Sequence, residues 1–324
     1  MYMYGLILYD QGKVGSLNQC KGLGVSLTTH FPVSWQEIPV QFPRWLRWIP
    51  PRVALLLPLK YLFAHFKIQK KPSIIIASGR QAVLATLALR TQCCTVVLQD
   101  PKIDPHYVDL VIAPLHDKVA GPNVLKTLGS LHHITEEDLN HFKKSHHQRH
   151  ITVLLGGDSR HYTYATEDIQ ALAHRLKFML SLPNYSGAKL LITPSRRTRL
   201  DLVEELKHQL TGLDYELWDG AGENPYKKYL SMADAFVVTG DSINMMTEAC
   251  LRGCPTYIFQ LALKTKRFEA FFEKLFIQNH AAPFTETALQ KNISFVPLNE
   301  LKRLTPEILA VVQQKVSLTR PLDE

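Results

Sequence analysis

The stretch Ala235–Pro255, AFVVTGDSINMMTEACLRGCP, decides the fold. Its pattern predicts a short apolar strand over Ala235–Val238, a tight turn at Thr239-Gly240, and a helix over Asp241–Arg252. A strand, a turn and a helix in this order are typical of an α/β protein, in which the start of the helix can bind a phosphate. Glu248 lies two turns into the helix among apolar neighbours, and we expect its carboxylate to bind sugar hydroxyls.

The same alternation of strand and helix runs through the rest of the chain. Short apolar runs rich in β-branched residues predict buried strands, and amphipathic stretches predict the helices between them. The predicted strands are Gly5–Tyr9, Ser73–Ala77, Cys94–Leu98, Leu110–Ala113, Ile151–Leu155, Lys189–Thr193, Tyr215–Trp218, Ala235–Val238 and Thr256–Phe259. The predicted helices are Ser16–Thr28, Arg80–Arg90, Thr166–Leu182, Arg197–Leu210, Pro225–Met232, Asp241–Arg252 and Thr305–Val316.

Strands that alternate with helices predict parallel sheets with right-handed crossovers, and a polar, histidine-rich stretch over 136–150 separates two such runs. The predicted fold class is therefore α/β, with two doubly wound Rossmann-like domains facing a cleft. We expect an N-terminal domain over residues 1–147, a second domain over 148–300, and a C-terminal helix in 301–324 that packs back on the first domain. Ligands of such sheets bind beyond the carboxyl ends of the strands.

The composition excludes several classes of protein. The chain has 324 residues, 46% of them apolar, and no window approaches the roughly 20 apolar residues of a membrane span. The formal charge of +8 suits an anionic ligand, a membrane surface or nucleic acid, but no nucleic-acid-binding signature appears. Five cysteines without a CxxC pair fit a reducing compartment and predict neither a zinc site nor a redox centre. The N-terminal stretch has no basic leader and predicts a buried strand rather than a signal peptide.

Loops of the first half carry candidate functional residues. The turn that contains Gly15 brings backbone amides close to a ligand, although an ordinary strand-to-helix turn explains it equally well. Asp100, His116 and Asp117 follow predicted strands, and an Asp or a His there could take a proton from an attacking hydroxyl. The alternative is a structural role, which for Asp100 is that of a turn residue before a proline. The absence of G-x-G-x-x-G and P-loop patterns argues against a nicotinamide dehydrogenase and a P-loop kinase.

Loops of the second half predict an anion site. Each follows a strand and offers glycines, hydroxyls or guanidiniums at the start of a helix, the groups that bind phosphate oxygens. The adjacent Arg196 and Arg197 oppose the dipole of the helix that they precede, and a bound anion would offset that cost. The alternative is that these residues only form turns and helix caps. The candidate residues are Gly156, Gly157, Ser159, Ser195, Arg196, Arg197, Gly240, Asp241, Ser242 and Glu248.

A basic and aromatic patch lies between the predicted first and second strands. It contains Arg44, Trp45, Arg47 and Trp48, followed by an apolar run. This composition suits docking on an anionic membrane face. A core helix with a charged rim explains it nearly as well.

Taken together, these motifs resemble a known family. The chain looks like a member of the mitochondrial-fission family named for elongated mitochondria, most of whose members are bacterial, and the resemblance covers nearly the whole chain. The family's usual histidine after the first-loop glycine is replaced here by Ser16 or a nearby residue. The motifs that carry the resemblance are Gly15 with Asn18-Gln19 and Gly22-Leu23, Gln99-Asp100-Pro101, Asp109–Asp117, Gly156–Ser159, Thr193–Arg197 and, most specifically, Thr239–Ala249.

The resemblance implies a GT-B-like glycosyltransferase, with the acceptor on the first domain and a nucleotide-diphosphate sugar donor on the second. The donor is a substrate, so no cofactor is implied, and the chain has no Asp-x-Asp metal motif. Helix ends and arginines would neutralise the departing diphosphate without a metal. The implied acceptor is a glycan or a lipid-linked molecule of cell-surface glycan or glycolipid assembly. The implied ligands are Ser195, Arg196, Gly240 and Ser242 for the diphosphate, Glu248 for the ribose, Asp241 for the sugar, and Gly15, Asp100 and His116 near the acceptor.

Two other functions are compatible with the resemblance. One is a nucleotide-sugar epimerase on a similar fold, which needs an acid–base pair at the donor sugar. The other is a membrane-associated adaptor or scaffold without chemistry, because plant members are linked to organelle division. In each case we expect a cytoplasmic protein that can rest on the inner face of a membrane and does not bind nucleic acid.

Overall fold

A computed structural model describes most of the chain and divides it into two compact units. The first unit comprises Met1–His133 and Glu300–Glu324, and the second comprises Ile134–Asn299. The described residues are 3–43, 53, 68, 70–90, 93–141, 148–159, 162–261 and 268–318.

The strands and helices alternate along the chain. The strands are β1 Met3–Asp10, β2 Val33–Val40, β3 Ile74–Ser78, β4 Cys94–Leu98, β5 Leu110–Pro114, β6 Val124–Thr127, β7 His150–Leu155, β8 Lys189–Pro194, β9 Tyr215–Leu217, β10 Ala235–Thr239, β11 Thr256–Phe259 and β12 Ala282–Pro283. The α-helices are α1 Val14–Thr28, α2 Arg80–Leu89, α3 Glu136–Asn140, α4 Thr166–Ser181, α5 Leu200–Gln209, α6 Tyr226–Met232, α7 Ile243–Ala249, α8 Glu269–Ile277, α9 Glu286–Leu289 and α10 Glu300–Leu318. Two short 3-10 helices lie at Pro105–Tyr107 and Cys250–Arg252.

The first unit contains a parallel six-stranded sheet in the order β2-β1-β3-β4-β5-β6. Every residue of β3 and β4 is buried, as in a sheet that is covered on both faces. The order reverses between β1 and β3, so the chain leaves these two strands in opposite directions along the sheet. This confirms the α/β prediction for the first half.

The second unit contains another parallel six-stranded sheet, in the order β12-β11-β10-β7-β8-β9. Read from the other edge, this is the order of a Rossmann sheet, in which the first strand, β7, lies beside the fourth, β10. The strand order reverses between these two strands. In open α/β sheets, ligands bind outside the carboxyl ends of the strands at such a reversal.

The helix α10 packs on the first unit. Its apolar residues Leu304, Ile308 and Val312 are buried in the same core as residues of β1, β3, β4 and β5. The buried carboxylate of Glu300 accepts a hydrogen bond from the Leu128 backbone N–H at 3.0 Å and thereby anchors the start of the helix.

Two helices begin two or three residues later than the sequence predicts. The helix α7 starts at Ile243 rather than Asp241, because Ser242 has extended backbone and its Oγ accepts the N–H of Met245 as a cap. The helix α5 starts at Leu200 rather than Arg197, because Ser195–Thr198 forms a turn closed by a 3.0 Å bond from the Thr198 N–H to the Ser195 carbonyl.

The predicted membrane-docking patch, Arg44, Trp45, Arg47 and Trp48, lies outside the described residues. Among the helices that the structure does describe, none has the length and apolar character needed to cross a bilayer.

Candidate functional site

Three loops of the second unit meet at the carboxylate of Asp241. They follow β7, β8 and β10, and two of these strands, β7 and β10, flank the reversal of the sheet. Oδ1 of Asp241 accepts bonds from the Tyr164 hydroxyl at 2.6 Å and the Thr239 hydroxyl at 2.8 Å. Oδ2 accepts the Gly157 N–H at 3.2 Å and pairs with Arg197 at 3.0 Å. The carboxylate therefore holds the three loops together.

The two glycines after β7 are required by this close approach. A Cβ on Gly156 would lie 1.9 Å from Oδ1 of Asp241, and a Cβ on Gly157 would lie 2.1 Å from the backbone carbon of Arg197. Contacts this short do not occur, so larger residues would push the loops apart. The Gly156 N–H donates to the Thr239 hydroxyl at 2.7 Å, which closes the contact between the first and third loops.

The two adjacent arginines have different environments. Arg197 is bound to Asp241 and donates a 3.3 Å hydrogen bond to the Asp158 carbonyl oxygen. Arg196 is exposed and has no hydrogen-bond or ion-pair partner among the described residues. Of the two guanidiniums, that of Arg196 is therefore the one available to a ligand.

The remaining predicted phosphate ligands of this unit lie in the same loops. The hydroxyl of Ser195 is 3.1 Å from that of Thr198 and accepts the Arg197 N–H at 3.2 Å. Ser159 accepts the Tyr162 N–H at 3.2 Å. The Gly240 N–H donates to the Phe259 carbonyl, so this amide already has a partner.

Glu248 is buried on α7, with 8% of its surface exposed. Its Oε2 accepts a hydrogen bond from the hydroxyl of Tyr226, the first residue of α6. Burial raises the pKa of Glu248 to about 7, although the bond from Tyr226 and the charge of Lys227 each act to lower it. Burial and then the charge of Glu248 raise the pKa of the Tyr226 phenol. Glu248 thus changes charge near neutral pH.

In the first unit, the structure brings Asp100, His116 and Asp117 together beyond the carboxyl ends of β4 and β5. The Asp100 N–H donates to Oδ2 of Asp117 at 3.3 Å, and Nε2 of His116 lies 3.9 Å from Oδ1 of Asp117. Lys126 donates to the Asp117 carbonyl at 2.6 Å and fixes the loop. An imidazole beside a carboxylate is an arrangement that can accept a proton from a hydroxyl.

Asp100 is a poor candidate for a general base. Partial burial raises the pKa of its carboxyl, but the hydrogen bonds and the charge of Lys102 outweigh that effect and hold the pKa below its usual range. The ammonium of Lys102 lies 2.6 Å from Oδ2. A carboxylate held ionised in this way accepts protons poorly at neutral pH, which leaves His116 with Asp117 as the better candidate.

A cavity of about 880 Å³ adjoins this cluster within the first unit. Asp100 lines it together with Lys102, Asp104, Tyr107 and Lys118. Lys118 is exposed and has no ion-pair partner among the described residues. The cavity is large enough for a drug-sized molecule.

A carboxylate at the carboxyl end of β1 was not predicted from the sequence. Oδ1 of Asp10 accepts the N–H groups of Gln81 and Ala82 at 2.8 and 3.0 Å and so caps the start of α2. A Cβ on Gly79 would lie 2.4 Å from Cγ of Asp10, and φ at Gly79 is 106°. The start of α2 is therefore already occupied by an anionic group. Gly15 lies in the first turn of α1 and is exposed.

Solved structures share this fold at low sequence identity. MurG of Acinetobacter baumannii aligns with 98% of this chain and 94% of its own, with a TM-score of 0.50 and 11% identity. The UDP-GlcNAc 2-epimerase of Methanocaldococcus jannaschii aligns with 96% of this chain and 100% of its own, with a TM-score of 0.54 and 12% identity. The fold is therefore that of the GT-B glycosyltransferases and epimerases.

Curated relatives are similar in sequence. The mitochondrial fission protein ELM1 of Arabidopsis thaliana is 25% identical over 222 residues, which are 58% of this chain and 51% of that protein. The chain thus spans about half the length of this relative. The uncharacterized protein RP120 of Rickettsia prowazekii is 25% identical over 279 residues, 72% of this chain and 78% of that protein. The family model described as mitochondrial fission ELM1 matches residues 14–312, nearly the whole chain, so the protein belongs to the mitochondrial fission ELM1 family.

Proposed function

We propose that the protein is a metal-independent glycosyltransferase that takes a nucleotide-diphosphate sugar as donor. The observation that carries the proposal is the exposed guanidinium of Arg196, which has no partner among the described residues. Arg196 lies on the loop after β8, one of the three loops that meet at Asp241. Its neighbour Arg197 is bound to Asp241, so Arg196 would be the one of the two arginines that binds a ligand. Arginine forms bidentate pairs with phosphate groups, and a diphosphate offers two of them.

The donor would extend from this loop towards α7. Ser195, Arg196 and Ser242 would bind the diphosphate, and the carboxylate of Glu248 would accept the ribose hydroxyls. Asp241 takes a different role from the one expected of it, because both of its oxygens already have partners in the three loops. It would hold the diphosphate loops in place rather than bind the sugar.

The acceptor role falls to the first unit. The imidazole of His116, oriented by Asp117, would take the proton of the acceptor hydroxyl as that oxygen attacks the anomeric carbon of the donor sugar. The bond from that carbon to the diphosphate breaks, and the nucleoside diphosphate leaves with the bonding electrons. Arg196 would stabilise the charge that develops on the departing phosphate.

Nucleotide binding is the first test. Thermal shift against UDP, GDP, ADP, CDP and dTDP should show stabilisation by at least one of them, and the Arg196→Met variant should lose it. Binding of a ligand to the folded state alone raises the melting temperature, so the shift reports affinity. No stabilisation by any of the five would defeat the proposal.

The description of the family is mitochondrial fission, and this supports a second candidate function. That function is a membrane-associated adaptor without chemistry. Absence of nucleotide binding would favour it. An epimerase would bind the same donor, and incubation with a panel of nucleotide sugars separates the two enzymes. An epimerase changes the sugar without an acceptor, whereas a transferase releases nucleoside diphosphate only when an acceptor is present.

A further inference from the structure

Glu248 and Tyr226 form an asymmetric pair in the second unit. Oε2 of Glu248 accepts the Tyr226 hydroxyl, and Oε1 has no hydrogen-bond partner among the described residues. One carboxylate oxygen is therefore fixed by the protein, and the other has no partner among the described residues.

Tyr226 is itself held in place. Its backbone N–H donates to Oδ1 of Asn224 at 2.9 Å, which fixes the turn at the start of α6. The next turn of this short helix is anchored because the Tyr229 N–H donates to the Pro225 carbonyl at 2.8 Å. Because the backbone of Tyr226 is fixed in this way, its hydroxyl restricts the orientation of the carboxylate that accepts from it.

Few charges act on Glu248. The ammonium of Lys227 lowers its pKa, but it also lies 3.0 Å from both oxygens of Asp138. Arg252, on the 3-10 helix after α7, donates to backbone carbonyl oxygens of α6, including that of Ser231 at 2.7 Å. The strand β10 under α7 has no titratable side chain. The Tyr226 hydroxyl is therefore the one direct donor to this carboxylate among the described residues.

We propose that Tyr226 is a positioning residue for the ribose diol of the donor, because its hydroxyl fixes one oxygen of the Glu248 carboxylate and leaves the other for the ligand. Nucleotide affinity should then rise with pH as Glu248 ionises. The proposal rests on the proposed function. An ionised carboxylate accepts hydrogen bonds from both ribose hydroxyls, whereas a protonated one must donate its own proton. If nucleotide binding depends on ionised Glu248, the affinity is highest above the pKa of this carboxyl and decreases as the pH falls through that pKa.

Removal of the hydroxyl in Tyr226→Phe takes away a bond to the charged form and raises the pKa of Glu248. Loss of the charge-assisted hydrogen bond from Tyr226 to the Glu248 carboxylate corresponds to a factor of about ten. The variant should therefore bind nucleoside diphosphate about tenfold more weakly than the parent at pH 6.5. At pH 9 both proteins carry an ionised Glu248, and the difference should shrink to about twofold. A merely structural effect would weaken binding by the same factor at every pH.

The test is calorimetric titration between pH 6 and 9 with the nucleoside diphosphate of highest affinity among the five in the thermal-shift panel. The ratio of the two dissociation constants at each pH cancels the ionisation of the ligand itself. Tyr229→Phe is the matched control, because it removes a hydroxyl on the same helix that donates to Glu216 at 2.8 Å. Its ratio to the parent should not change with pH.

A second readout requires no ligand. The ¹³C carboxyl resonance of Glu248, assigned by its absence in Glu248→Gln, should titrate near neutral pH and shift its midpoint upward in Tyr226→Phe. Lys227→Gln, at a half-exposed position, should raise the midpoint as well and serves as a second variant if Tyr226→Phe folds poorly. An unchanged midpoint in Tyr226→Phe, or a binding ratio that stays constant with pH, overturns the inference alone. Absence of nucleotide binding at every pH overturns the proposed function and the inference together.

Discussion

Arg197 and Asp241 form an ion pair in which Nη2 lies 3.0 Å from Oδ2, and its two members differ sharply in exposure. The carboxylate has no exposed surface, whereas 44% of the arginine side chain is exposed. Water can solvate the guanidinium if the pair is broken, but it cannot reach the carboxylate. The pair therefore stabilises Asp241 more than it stabilises Arg197.

The first prediction follows from this asymmetry. Arg197→Met should lower the free energy of unfolding by about 2 kcal/mol, less than for a fully buried pair because hydrogen bonds to Asp241 remain. Arg196→Met, the matched control one residue away, should change it by less than about 0.5 kcal/mol and yet weaken nucleotide binding at least about tenfold. Urea unfolding and calorimetry measure the two effects. Equal stability of the two variants would contradict the roles assigned to the arginines.

The second prediction concerns Gly156. In Gly156→Ala the new methyl group would lie 1.9 Å from Oδ1 of Asp241, so the loops after β7 and β10 must separate. We expect a loss of about 3 kcal/mol in the free energy of unfolding, within the range of overpacked sites. Gly121→Ala is the control, because its Cβ meets nothing closer than 3.2 Å. A cost for Gly156→Ala no greater than that of the control would show that the loops are not in contact.

The third prediction concerns stability and pH. The pKa of Glu248 is raised from 4.5 to about 7, so the stability that its protonated form contributes is present below pH 4.5 and is lost as the pH rises through 7. Glu248→Gln removes the charge, so at pH 8 it should unfold at a higher urea concentration than the parent. Its free energy of unfolding should be larger by up to about 3 kcal/mol, because each pKa unit corresponds to about 1.4 kcal/mol. At pH 5 the two proteins should differ little.

The control for that experiment is Glu216→Gln. Glu216 also accepts a tyrosine hydroxyl, but this bond, from Tyr229, lowers its pKa. Its stabilising effect is therefore complete above its unfolded pKa and does not change between pH 5.5 and 8. A Glu248→Gln advantage that stays constant over this interval would mean that the carboxyl does not titrate there.

The fourth prediction concerns the first unit. His116→Gln should lower the rate of sugar transfer about 10²- to 10⁴-fold, the usual range for loss of a general base, while the affinity for nucleoside diphosphate stays within about twofold. Asp100→Asn should have a smaller effect, because Lys102 holds that carboxylate in an ion pair. Release of nucleoside diphosphate in the presence of an acceptor measures both. A larger effect at Asp100 than at His116 would reverse the assignment of the base.

The fifth prediction concerns the anchor of α10. Glu300→Ala leaves the buried Leu128 N–H without its acceptor and should cost about 2 kcal/mol in the free energy of unfolding. Glu307→Ala, on an exposed position of the same helix, is the control and should change it by less than about 0.5 kcal/mol. Urea unfolding at neutral pH compares the three proteins, and equal midpoints would remove the anchoring role from Glu300.

The sequence predicted the buried strands well but missed three of the four edge strands, β2, β6 and β12. Cys94–Leu98 and Thr256–Phe259 were predicted with the bounds that the structure shows, because continuous apolar runs are typical of strands covered on both faces. The strand β2 was missed, because it lies at the edge of its sheet, is partly exposed, and contains Glu37 and Pro39. Polar residues and proline are tolerated at an edge and hide the strand pattern.

The candidate site could also be predicted only in part from the sequence. Its loops could be found because each follows an apolar strand and carries glycine, serine or arginine. Their partners could not, because Tyr164 contacts Asp241 across 77 positions of sequence and Tyr226 contacts Glu248 across 22. The difference between Arg196 and Arg197 is equally invisible in the sequence, because it depends on which side chain reaches Asp241.

The path of the chain also sets an order of events at the ribosome. The second unit is one continuous segment, Ile134–Asn299, whereas the first needs Leu304, Ile308 and Val312 of α10 to complete its core. Domains fold as units while the nascent chain emerges from its N-terminus. The half that is synthesised first must therefore wait, with part of its apolar surface uncovered, until the half that follows has already been made.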